Sequence, residues 1–247
     1  MTPRALAAQA IELLRGSVEA TYRDGARNFF KSHETVQLFG VRTPQVKQIE
    51  RDLFQPVRAS WTVAEAIAAC ELLLQSAELE AKLTGLLLLG RFKKQFDASL
   101  LAQVELWLRR DYCSNWATTD ALCSCVLGPL LQSQPALVAQ TRRWIRAKHL
   151  YLRRAAMVSL LPAIRRGSLL DEAYEFAEAL LDDREDLMHK AVGWVLRDAG
   201  KKDARRLEWF LLTHGPRVPR TTLRYAIERF PETKRQKLLA QTRTSPQ

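Results

Sequence analysis

The chain has 247 residues, 47% of them hydrophobic and 26% charged, with 38 Lys and Arg against 27 Asp and Glu for a formal charge of +11. That apolar share excludes wholesale disorder, and ten glycines with ten prolines exclude a low-complexity or collagen-like chain. No stretch approaches the roughly 20 apolar residues needed to span a bilayer, so no membrane partner is expected.

Taken in chain order, the segments read as helices. Met1-Thr2-Pro3-Arg4 leads into a mixed amphipathic stretch, not a signal-peptide core. Breaks at Thr43-Pro44 and Ser60-Trp61-Thr62 precede apolar residues at helical spacing, Ala64-Ile67-Ala68-Leu72 and then Leu83-Leu86-Leu87. The run Leu86 to Leu89, between Lys82 and Arg91, reads as a buried helix turn. Further breaks fall at Ser133-Gln134-Pro135, Gly167-Ser168, Gly215-Pro216 and Phe230-Pro231. Between them lie Ala155-Val158-Leu161 and Ala191-Trp194-Val195, again at helical spacing. Alternating strand patterns are missing, so the fold is expected to be all-α.

Five helices share a charged-then-apolar opening, led by Lys82, Asp120, Arg154, Lys190 and Arg224 at spacings of 38, 34, 36 and 34 residues. Such a period in a helical chain predicts an α-solenoid of HEAT-like repeats. The lead residues should line one surface, a concave basic groove. A single repeat domain over 1–247 is expected, with N-terminal helices to about residue 60, repeats over 61–241 and a short tail at 242–247.

The charge is uneven. Residues 121–170 hold eight bases (Arg142, Arg143, Arg146, Lys148, Arg153, Arg154, Arg165 and Arg166) and no acid, whereas residues 171–196 hold eight acids and two bases. A folded basic stretch of this kind repels itself unless an anion screens it. Duplex DNA is the obvious partner. RNA, an anionic surface or a solvated basic face with no ligand fits the same arithmetic. Four cysteines (Cys70, Cys113, Cys123, Cys125) form no CxxC pair, and with four histidines in no ligand spacing neither a metal nor a cofactor is expected. Reduced thiols suit a cytoplasmic, nucleoid-associated protein. A monomer is expected.

Asp120 is the one acid among the lead residues. Trp116 precedes it by one helical turn and Trp194 follows Lys190 by one turn. Taken singly, both tryptophans fit a hydrophobic core and Asp120 fits a structural ion pair with Arg154.

The ordered set Phe39-Gly40-Val41-Arg42-Thr43-Pro44, Asn115-Trp116-Ala117-Thr118-Thr119-Asp120, Leu152-Arg153-Arg154-Ala155-Ala156 and Lys190-Ala191-Val192-Gly193-Trp194-Val195-Leu196-Arg197 resembles the bacterial DNA alkylation repair proteins of the AlkD type. These are HEAT-like glycosylases that remove cationic alkylpurines such as N3-methyladenine and N7-methylguanine from duplex DNA. The resemblance implies that Trp116, Asp120, Arg154 and Trp194 hold the lesion-bearing nucleotide. Asp120, Trp116 and Trp194 are then the catalytic residues. The expected DNA-binding residues are Arg154, Arg153, Lys190, Arg224, Lys82, Lys148, Arg197 and Phe30. The chain departs from the family where Ala117 replaces an Asp and where Asn28-Phe29-Phe30 stands near a family tyrosine. A non-catalytic module binding branched or damaged DNA, and a scaffold receiving an acidic peptide, are the competing readings. Fold alone does not secure a reaction.

Overall fold

The computed structural model describes residues 1–30 and 36–243, so residues 244–247 of the expected tail lie outside it. Among the described residues there is no strand, only an isolated bridge between Gln37 and Glu78. The helices fall into two compact units, Met1–Val126 and Leu127–Gln247.

The first unit holds α1 (Pro3–Arg15), α2 (Ala20–Ala26), α3 (Thr43–Phe54), α4 (Val63–Leu74), α5 (Leu79–Gly90), α6 (Ser99–Arg109) and α7 (Trp116–Leu122). Their starts follow from side-chain chemistry. Thr2 accepts from the Ala5 N–H at 3.2 Å just ahead of Pro3. Thr62 and Glu65 form a reciprocal capping box at the head of α4. The centre of the unit is α5, which packs against α1, α3, α4 and α7. Leu86, Leu88 and Leu89 are fully buried there, worth roughly 2 kcal/mol each.

Next to that run lies a buried carboxylate. Glu80 accepts from three successive backbone N–H groups, Phe39 at 3.0 Å, Gly40 at 2.8 Å and Val41 at 3.0 Å. Gly40 has φ +93°, and a Cβ there would stand 2.5 Å from the Arg23 Cβ, so only glycine fits. The Phe39-to-Pro44 motif is therefore a loop strapped to α5, delivering the chain into α3.

The second unit holds α8 (Gly128–Ser133), α9 (Val138–Thr141), α10 (Leu150–Val158), α11 (Leu161–Arg165), α12 (Leu170–Ala179), α13 (Asp186–Gly200), α14 (Ala204–His214), α15 (Arg220–Ala226) and α16 (Glu232–Gln241). Its axis is α13, packed by α10, α11, α12, α14 and α15. Gly193 makes the α13–α15 approach possible, because a Cβ there would lie 2.5 Å from the Tyr225 Cβ and 2.7 Å from the Thr222 carbonyl oxygen.

The fold is an all-α helical repeat. Asp120, Arg154, Lys190 and Arg224 are each the fifth residue of their helices, α7, α10, α13 and α15, while Lys82 is the fourth residue of α5. The period in the letters is a period of helices. No single helix among the described residues is long and apolar enough to cross a membrane.

Candidate nucleic-acid interface

In the first unit the motif Asn115 to Asp120 divides into scaffold and surface. Asn115 caps α7, its side-chain oxygen accepting from the Thr118 N–H at 2.9 Å. The Thr119 hydroxyl donates to the Cys113 carbonyl at 3.0 Å and the Thr118 hydroxyl to the Asn115 carbonyl at 3.2 Å. Asn115, Thr118 and Thr119 are buried. Trp116 and Asp120, one turn apart, both keep partial exposure.

Trp116 is not a core residue. The tryptophans in the core are Trp61, Trp107 and Trp144, at 7%, 0% and 1% exposure. The ring of Trp116 instead stacks on Phe30, with centroids 5.5 Å apart and planes 25° from parallel. Phe30 follows a 3-10 turn at Arg27–Phe29, and its neighbour Phe29 is 73% exposed. Immediately after α7 the helix widens into a π turn, Cys123–Leu127, a distortion that recurs at functional sites.

Lys82 departs from expectation. Its ammonium donates to the carbonyls of Leu74 at 2.9 Å and Tyr112 at 2.7 Å, so two of its three N–H groups are committed inside the protein. Burial holds its pKa below the usual lysine value. It braces two chain segments and is not presented as a phosphate ligand.

In the second unit the expected cations split in the same way. Arg153 forks onto Asp183, with Nε 2.6 Å from one carboxylate oxygen and a terminal nitrogen 3.4 Å from the other. Its remaining terminal nitrogen donates to the carbonyls of Ala147 at 2.9 Å and Lys148 at 2.8 Å. It ties a loop together. Arg154 is only 4% exposed and donates to the Leu187 carbonyl at 2.7 Å. Arg197 pairs with Glu228. Lys190 pairs with Asp186 at 2.9 Å, both half exposed, and that hydrogen bond raises its pKa. The side chains of Lys148 and Arg224 are exposed and make no ion pair among the described residues. Trp194, half exposed on α13, is not core either.

The self-repulsion expected of residues 121–170 is corrected by this geometry. Arg142 pairs with Glu175 at 2.7 Å, Arg153 with Asp183, and Arg165 with Asp198 at 2.9 Å. Each base meets an acid 30 to 33 residues on, which is about one repeat. The acid-rich stretch therefore neutralises part of the basic one within the fold. Asp198 is 2% exposed; burial opposes its charge, but hydrogen bonds from Lys201 and Arg165 hold its pKa below the usual carboxylate value. The signal was present in the sequence: the sign of the charge reverses over one repeat length.

Among the described residues no group of His, Cys, Asp or Glu is placed to hold a metal ion. The family model described as DNA alkylation repair enzyme matches residues 10–230. No curated protein matches the chain. Among solved structures, a "Predicted DNA alkylation repair enzyme from Enterococcus faecalis" is similar at a TM-score of 0.76 and 14% identity, over 87% of this chain and 98% of that one. At that identity the likeness speaks to fold.

Proposed function

The chain belongs to the DNA alkylation repair enzyme family, and from that premise we propose that it is a monofunctional DNA glycosylase releasing cationic alkylpurines from duplex DNA. The observation that carries the reading is on α7. Its motif commits Asn115, Thr118 and Thr119 to the scaffold and leaves an indole and a carboxylate one turn apart on an accessible face, with Phe30 extending the aromatic surface.

The chemistry asks for little more. Alkylation at N7 or N3 makes the purine a cation. When the bond from C1′ to the base nitrogen breaks, the electron pair leaves with the base, which departs neutral and needs no general acid. The difficulty is positive charge building on the deoxyribose. Asp120 meets that charge, and water adds to C1′ and gives up its proton to leave an abasic site. A carboxylate about 4 Å away at an effective dielectric near 20 supplies roughly 4 kcal/mol. The π face of Trp116 adds on the order of 1 kcal/mol. Trp194 and Arg154 enter this reading through the resemblance alone, as a second aromatic and a phosphate contact; Arg154 is 4% exposed and already donates to the Leu187 carbonyl. Of the cations expected to bind DNA, Lys148 and Arg224 are exposed for a phosphate backbone, and Lys190 is half exposed beside Asp186.

The test is base release. Purified protein mixed with methylated duplex DNA is expected to liberate free 7-methylguanine, measured by chromatography of the small-molecule fraction. Tight duplex binding with no release of any methylated purine would reject the glycosylase and leave the non-catalytic DNA-binding reading.

A further inference from the structure

The loop that delivers α7 is held by a cation that the repeat pattern reads as a surface residue. Asp111 turns the chain through a left-handed backbone at φ 58°, a conformation that Asp adopts more readily than most residues other than glycine. The next carbonyl, that of Tyr112, accepts from the Lys82 ammonium at 2.7 Å, and the same ammonium reaches the Leu74 carbonyl at the end of α4 at 2.9 Å. The following carbonyl, Cys113, accepts from the Thr119 hydroxyl at 3.0 Å, and Asn115 then caps the helix. Three anchors, at residues 112, 113 and 115, thus fix the entry of α7, and Lys82 is the one that ties it to α4 and α5. Lys82 has no ion pair among the described residues. The nearby Cys113 thiol is pushed up to about 12 by burial, so it carries no charge at neutral pH. Backbone carbonyls alone hold the ammonium.

We propose that Lys82 is a positioning residue: by clamping the Leu74 and Tyr112 carbonyls it sets the start of α7 and, through it, the placing of the Trp116 ring and the Asp120 carboxylate. The kinetic part of this inference rests on the glycosylase reading; the structural part does not.

The experiment compares Lys82→Met and Lys82→Arg with the unmodified protein by amide hydrogen exchange, duplex binding across a salt series and single-turnover base release. In Lys82→Met, exchange over residues 112–119 should accelerate at least about tenfold while exchange in α1 and α6 stays unchanged. Release at saturating protein should slow roughly tenfold to a hundredfold, since small displacements of reacting groups carry penalties of this size. The slope of log affinity against log salt should not change. Arg224→Met serves as the control for a phosphate contact and should flatten that slope by about one. Lys82→Arg keeps the charge but not the two-carbonyl geometry, so it should also be slow, whereas a phosphate contact would accept arginine.

In a double-mutant cycle, Lys82→Met should add little to the loss already caused by Asp120→Asn, because both act on one group. A salt slope flattened by one, full activity in Lys82→Arg, or unaltered exchange over residues 112–119 would each overturn the proposal. Should Lys82→Met not fold, Lys82→Arg carries the same three measurements. If the unmodified protein releases no base, the glycosylase reading fails while the exchange arm still decides the role of Lys82.

Discussion

Asp120→Asn is expected to slow base release about a thousandfold while leaving duplex affinity within roughly threefold. The amide matches the carboxylate in shape and removes only the charge. Roughly 4 kcal/mol of attraction to a sugar cation, gained as the positive charge moves from the purine onto the ring, converts to about three orders of magnitude in rate. In the ground state that charge sits on the alkylated purine, farther from Asp120, so most of binding is spared. Asp120 is partly exposed and lies on a seven-residue helix whose cap and buried threonines are other residues, and circular dichroism of the variant checks that α7 keeps its fold. Single-turnover release with protein in excess separates the chemical step from binding. Loss of affinity in proportion to rate would mean that the carboxylate serves binding and not the transition state.

Glu80→Ala is expected to lower stability by on the order of 4 kcal/mol, a large share of what a folded domain possesses. Glu80 is 4% exposed, and its two oxygens satisfy the N–H groups of Phe39, Gly40 and Val41. Removing the acceptor leaves three buried donors at about 1–3 kcal/mol each, tempered by whatever water enters. Glu80→Gln should be milder, because the amide retains one acceptor while turning a donor toward a donor. Urea unfolding measures both, with the midpoint falling and the slope unchanged. A loss below about 1 kcal/mol for the alanine variant would show that the loop finds other partners.

How far each feature was legible follows from its physics. The repeat was readable because the same helix position recurs, so letters alone carry it: Asp120, Arg154, Lys190 and Arg224 all stand fifth in their helices. Lys82 obeys the same spacing, yet α5 is enclosed on nearly every side, burying Leu79, Glu80, Ala81, Thr84, Gly85, Leu86, Leu88 and Leu89. A lead position on such a helix is not a surface position, and helical periodicity weakens where a helix is apolar all round. Spacing puts Trp116 and Asp120 on one face but cannot say whether that face is core; the Phe30 stack answers this through a segment 86 residues away in sequence. The Glu80 clamp was invisible for the same reason, since its three partners lie about 40 residues upstream. The basic stretch needs less outside anion than its own letters suggest, because acids for Arg142, Arg153 and Arg165 arrive one repeat later, at Glu175, Asp183 and Asp198.

The most direct test of the central claim is the affinity for a duplex in which the lesion nucleotide is replaced by a pyrrolidine abasic analogue, cationic in the sugar ring, against the same duplex carrying a neutral tetrahydrofuran. The protein is expected to prefer the cationic ring by about a hundredfold or more, as transition-state mimics are preferred, and Asp120→Asn to lose most of this preference. Equal affinity for the two duplexes, or a preference that survives in Asp120→Asn, would contradict that claim.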